Sequence, residues 1–81
     1  MPDWALVQRR AVGRRIRALR HAENIAMDVL ALRAGLGKDT VYRAEKATYA
    51  VTIDSLLLIA NGLGVPPGAL FDDLPAAPGP G

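Results

Sequence analysis

Apolar side chains fall at helical spacing almost from the start of the chain. Val12, Ile16 and Leu19 recur at steps of four and three, and Arg9, Arg10, Arg14 and Arg17 fill much of the remaining surface. That pattern predicts an amphipathic helix from about Pro2–Asp3 to Glu23. Pro at an early helical position and an acid near the positive end of the helix dipole suit its start, and Asn24 tolerates the left-handed conformation that ends it. A second helix is expected from about Met27 to Ala34, burying Leu30 and Ala34, with Gly35 as its stop. A third opens at Gly37 or Lys38 and ends near Lys46, with Val41 and Ala44 on its inner face. Thr52 caps a fourth helix through about Leu63, with Asp54 and Ser55 in its first turn. Its inward stripe reads as Ile53, Leu56, Leu57, Ala60 and Leu63, with Leu58 roughly opposite. Gly64 stops it, and Pro66–Pro67 starts a short last helix holding Leu70 and Phe71. No β-branched alternation occurs, so the expected class is all-α, with five helices and no sheet.

The stretch ALRAGLGKDTVYRAE, residues 31 to 45, breaks one short helix at Gly35 and opens another almost at once. Two helices of about two turns each, joined by so short a glycine-containing loop, cannot lie side by side as antiparallel neighbours and must cross steeply. This is helix-turn-helix geometry, in which the second helix projects from the body and can enter a DNA major groove.

At 81 residues the chain has room for one domain, expected over residues 1–74, and a hydrophobic fraction of 51% can fill one core. The ending PAAPGPG, residues 75–81, offers no core residue and is expected to be a disordered tail. The absence of cysteine excludes disulfides and thiolate metal sites. There is no basic-then-apolar leader, and the longest apolar run, Leu56 to Ala60, is too short to span a bilayer; the expectation is a soluble cytoplasmic protein with no membrane association. The net charge of +2 hides a division. Residues 1–46 carry all ten Lys and Arg against Asp3, Glu23, Asp28, Asp39 and Glu45, so 10 − 5 = +5; residues 47–81 carry Asp54, Asp72 and Asp73 without a Lys or Arg, giving −3. The first half suits a polyanion.

These residues resemble the Cro and phage-repressor-type helix-turn-helix family, often called the XRE family, over roughly Val12 to Phe71. Within the motif, about residues 27–46, the family's small residue falls on Ala31, its turn glycine on Gly35, and its apolar positions on Leu30, Ala34, Leu36, Val41 and Ala44. The family ending LxxIAxxLGVxxxxLF is matched by LLLIANGLGVPPGALF at residues 56–71. The resemblance implies a compact five-helix, lambda-repressor-like DNA-binding domain. It also implies a structural ion pair between Arg20 of the first helix and Glu45 of the third.

The family's base-contacting positions map onto Lys38, Asp39 and Arg43, with Tyr42 as an addition. Arg43 can present its planar fork to guanine O6 and N7 together. Lys38 can meet a base acceptor or a phosphate. Asp39 either accepts from cytosine N4 or stabilises the helix's first turn; Tyr42 either meets a thymine methyl or sugar, or is a solvated ring. Phosphate contacts are expected from Arg14, Arg17, Thr40, Lys46 and Thr48, the alternative for the arginines being an ordinary solvated face. The chain departs from the family where Ala26–Met27 replaces a Ser or Thr followed by Gln, which removes a cap and a phosphate contact. Ala47 and Ala50–Val51 stand where Gly and Asn-Pro are common.

The remaining candidates carry no chemistry. His21 has no second His or Cys beside it in the sequence, so no metal and no cofactor is expected. Trp4 is read as packing the first helix against the body or a partner, and Ser55 as a capping residue. Leu58, Ile59, Leu70 and Phe71 are expected to form an apolar patch for a homodimer. The reading is a small regulator of bacterial or phage type, nucleoid-associated, that binds double-stranded DNA as a homodimer on a palindromic operator. With no second sensing domain expected, regulation would depend on concentration, dimerisation or a separate regulatory protein partner. The alternative is a protein-interaction module, an antitoxin or adaptor, that keeps the fold with weakened DNA binding. No nucleophile–base pair or carboxylate pair supports an enzyme.

Overall fold

A computed structural model describes residues 1–80. Among them four α-helices follow one another: α1 over Asp3–Ala22, α2 over Met27–Ala34, α3 over Lys38–Lys46 and α4 over Ile53–Leu63. The expected fifth helix is instead a 3₁₀ turn over Pro67–Phe71. Pro67 has no N–H to give, and the Ala69 N–H bonds to Pro66 O at 2.9 Å, three residues back. A five-residue segment has room for hardly more than one i→i−4 bond, and pieces this short commonly take the tighter 3₁₀ form. Residues 75–80 take no regular structure, and Gly81 lies outside the described residues; Gln8 Nε2 donates to Pro75 O at 2.9 Å.

Each corner has an identifiable cause. Asn24 adopts φ +55° and closes α1. Gly35 adopts φ +71°, and the Leu36 N–H reaches back to Ala31 O at 2.9 Å, so the chain leaves α2 with its last carbonyls satisfied. Ala47 ends α3 at φ +56°, a left-handed conformation that costs a non-glycine residue about 1 kcal/mol. Thr52 Oγ1 accepts the Ser55 N–H at 3.0 Å, the side-chain cap expected of it. Ala26, at the head of α2, makes no side-chain cap.

The core is formed by Ile16, Leu30, Ala31, Val41, Ala44, Ile59, Ala60, Leu63 and Leu70, with Val12, Leu19, Ile25, Leu36, Val51 and Leu56 packed around it. The α4 stripe differs from the expected one. Ile53 is 75% exposed and Leu57 is also exposed, whereas Ile59 is fully buried. Helix α4 packs on α2 and on the 3₁₀ turn, and its inward side chains are Ile59, Ala60 and Leu63, with Leu56 partly buried beside them. Two residues expected at a dimer surface, Ile59 and Leu70, are therefore core residues and unavailable to a partner.

Arg15 locks the last turn onto α1. Its Nε donates to Ala69 O at 2.9 Å, and its guanidinium lies 3.4 Å from Asp72 and 3.8 Å from Asp73. Two acids of the negative half are thus matched by one arginine of the positive half.

Candidate nucleic-acid interface

Helix α3 is fixed from behind by α1. At Gly13 a Cβ would lie 2.5 Å from the Glu45 carbonyl oxygen and 2.7 Å from that of Ala44, so the two backbones approach more closely than any side chain would allow. Two turns further along α1, Arg20 meets the carboxylate of Glu45 with a bidentate fork. Its Nε donates to Oε2 at 2.7 Å and its Nη2 to Oε1 at 3.1 Å. The remaining nitrogen, Nη1, donates to Ile25 O at 2.8 Å, and Nη2 also lies 3.3 Å from His21 Nε2. Arg20 is 7% exposed and Glu45 6%. Two charges this poorly solvated are tolerable because every charged edge is bonded.

With Val41, Ala44 and Glu45 turned inward, the opposite face of α3 is free. Lys38, Asp39, Tyr42, Arg43 and Lys46 are exposed and Thr40 is half-buried; Thr48, just beyond the helix, is exposed, as are Arg14 and Arg17 on α1. Arg43 Nη1 lies 3.8 Å from Asp39 Oδ2, one turn back on the same helix. The Arg43 Cζ sits over the ring of Tyr49, 5.5 Å from its centroid, and Lys46 Nζ sits 5.9 Å from the centroid of the Tyr42 ring. Behind this face a recess of about 220 Å³ is bordered by Thr40, Arg43, Tyr49, Thr52 and Ser55. Trp4, read as a packing residue, is exposed on α1.

The arrangement presents cationic and hydrogen-bonding side chains on a projecting two-and-a-half-turn rod. Such a rod can follow a groove and offer donors to base acceptors and phosphates. Three of its features escape a reading of the linear pattern. Gly13 left a signal, since a glycine inside a helix costs about 1 kcal/mol against Ala and calls for a packing reason. Arg15 and Tyr49 left none, because their partners lie across the fold or beyond a left-handed corner.

Residues 11–74 match the family model described as a helix-turn-helix domain, and the chain belongs to that family. It is a DNA-binding transcription regulator of the Cro and phage-repressor (XRE) type. Among solved structures, the restriction–modification controller protein C.AhdI from Aeromonas hydrophila is 31% identical, with a TM-score of 0.74 over 83% of this chain and 97% of that one. The wild-type restriction–modification controller protein C.Esp1396I is 28% identical, with a TM-score of 0.72 over 85% of this chain and 87% of that one. An HTH_3-family transcriptional regulator from Vibrio cholerae shares the fold at 24% identity and a TM-score of 0.76, over 82% of this chain and 37% of that one. No curated protein matches the chain. Among the described residues, no helix is long and apolar enough to cross a membrane.

Proposed function

We propose that this regulator binds double-stranded DNA sequence-specifically, with α3 in the major groove. The observation that carries the reading is the division of α3 between a face tied down by α1 and a free face bearing Lys38, Tyr42, Arg43 and Lys46. Lys38, Asp39, Tyr42 and Arg43 read base edges, Arg43 with the acceptor pair of a guanine. Arg14, Arg17, Thr40, Lys46 and Thr48 hold phosphates. Similarity to two restriction–modification controllers supports a controller role, with the protein regulating the genes of a restriction–modification set.

The active species is a homodimer on a palindrome, its half-sites about 34 Å apart. Leu58, 41% exposed, and Phe71, 44% exposed, remain as candidates for the contact, joined by Leu57 and Ile53 on the outer side of α4. The second reading, a protein-interaction module, is favoured by those same exposed apolar side chains and by the uncapped start of α2.

Selection from a random duplex library tests the choice. An enriched palindrome is expected, with affinity falling as salt rises. Three phosphate-neutralising cations per protomer (Arg14, Arg17, Lys46) set a slope of log K against log salt of about −2.7 per protomer. A library that yields no enriched site would turn the reading to the interaction module.

A further inference from the structure

The side chain with most to do in the proposed readout, Arg43, is held from two directions in the free protein. Asp39 meets its N–H edge, with Nη1 to Oδ2 at 3.8 Å. Tyr49 meets its flat face, 5.5 Å from centroid to Cζ. The two contacts differ in kind. A guanidinium reads a base with its edge, where all five N–H donors lie, so a carboxylate on that edge competes with DNA. A ring on the face occupies no donor and leaves the fork complete.

The position of the Tyr49 ring is itself set. Ala47 turns the chain through φ +56° directly after α3. Val51, two residues beyond Tyr49, packs against the core, and Thr52 caps α4. The short link between these anchors brings Tyr49 back against the outer side of α3.

We infer that Tyr49 is a positioning residue for base readout: its ring presets the Arg43 guanidinium without engaging a donor, while Asp39 flanks the donor edge in the free protein and is displaced when DNA arrives. The inference rests on the DNA-reading role proposed for Arg43. An arginine left to search its rotamers loses that freedom on binding, and a preset one has lost much of it already. Asp39 then acts as a charge guard, opposing capture of Arg43 by stray phosphates until an acceptor pair outcompetes it.

Two measurements on the intact chain test this. In the DNA-free protein, the Arg43 δ-protons should be shifted upfield by ring current in the wild type and in Tyr49→Phe, and should lose that shift in Tyr49→Leu. Absence of the shift in the wild type overturns the positioning role, whatever DNA does. In binding to a selected duplex against a random one, Tyr49→Leu should narrow the preference by about threefold to tenfold, as expected for one immobilised side chain. Tyr49→Phe should keep it, because the ring and not the hydroxyl acts. An unchanged preference in Tyr49→Leu, or an equal loss in Tyr49→Phe, overturns the inference. Asp39→Asn should tighten the random duplex at low salt, where Asp39 reads no base; weaker binding there overturns the displacement of Asp39. If no preferred duplex exists, the regulator reading fails while the proton shift still decides whether Tyr49 holds Arg43.

Discussion

Adding one methyl group at Gly13 probes the contact that sets the separation of α1 and α3. The new Cβ would stand 2.5 Å from the Glu45 carbonyl oxygen, where ordinary contact begins near 3.4 Å, a shortfall of 0.9 Å (3.4 − 2.5). The obstructing atoms are backbone, at Ala44 and Glu45, so no side chain can swing aside and α3 must move. Glu45 is also the partner of Arg20. A shift of that size along the contact would open the 2.7 Å bond from Nε to Oε2 toward 3.6 Å (2.7 + 0.9), beyond hydrogen-bond range. Overpacking costs about 1–3 kcal/mol, and a weakened buried pair adds a part of the 3–5 kcal/mol that its loss would cost. Against this, Ala is better than Gly inside a helix by about 1 kcal/mol. The net expectation for Gly13→Ala is a loss of about 2–3 kcal/mol. Urea unfolding followed by circular dichroism should show it as a lower midpoint with an unchanged slope, and heating as a fall in Tm of roughly 10–20 °C. Gly68→Ala is the control, since a Cβ there meets nothing within 4 Å; it should stay within about 0.5 kcal/mol of the wild type. A Gly13→Ala variant as stable as the wild type, or more so, would refute the close approach of the two helices.

The Arg20–Glu45 pair supplies a second test: Arg20→Met alone should destabilise by about 3–5 kcal/mol, and Arg20→Met with Glu45→Leu should recover most of it. A neutral single variant in urea unfolding counts against a desolvated pair. Thr52→Ala removes the cap on Ser55 N and should lower stability by about 1 kcal/mol; an unchanged melting curve would mean the cap adds nothing. Arg43→Ala should reduce the preference for a selected duplex over a random one by about 1–3 kcal/mol in fluorescence anisotropy, while a uniform loss on both would make Arg43 a phosphate contact. Leu58→Arg should convert a dimer to a monomer in sedimentation equilibrium at high micromolar concentration, and identical sedimentation of both proteins removes Leu58 from the interface.

The parts of the fold readable along the chain are those governed by local chemistry. Gly35 stops α2 because a positive φ suits glycine, and Thr52 caps α4 because its hydroxyl can reach the N–H three residues on. Helix α4 shows where local reading ends. Its run from Leu56 to Ala60 is apolar at every step, so periodicity cannot say which side faces in. Contact with α2 and the 3₁₀ turn chooses Ile59 over Ile53 and Leu57. The same limit applies to the interface. Lys38, Asp39, Tyr42 and Arg43 lie on the outer face that the spacing of Val41 and Ala44 implies. Tyr49 joins Arg43 through a left-handed corner at Ala47, where the residue type gives no such signal and only the family's usual Gly hints at the turn.

A nine-residue helix has no stability of its own in water, so the direction in which α3 points is decided entirely by what holds it. Three constraints act on different freedoms. The Gly35 corner, with Leu36 anchored against the core, sets its angle to α2. Gly13 against the carbonyls of Ala44 and Glu45 sets its distance from α1. The fork of Arg20 on the Glu45 carboxylate opposes rotation about its own axis. Glu45 takes part in two of these, through its backbone and through its side chain, and neither contact uses the outer face. Under the proposed readout, aim and reading are therefore carried by separate residues: changes among Lys38, Asp39, Tyr42 and Arg43 should alter which bases suit the rod, whereas changes at Gly13, Arg20 or Glu45 should misdirect it for every sequence alike.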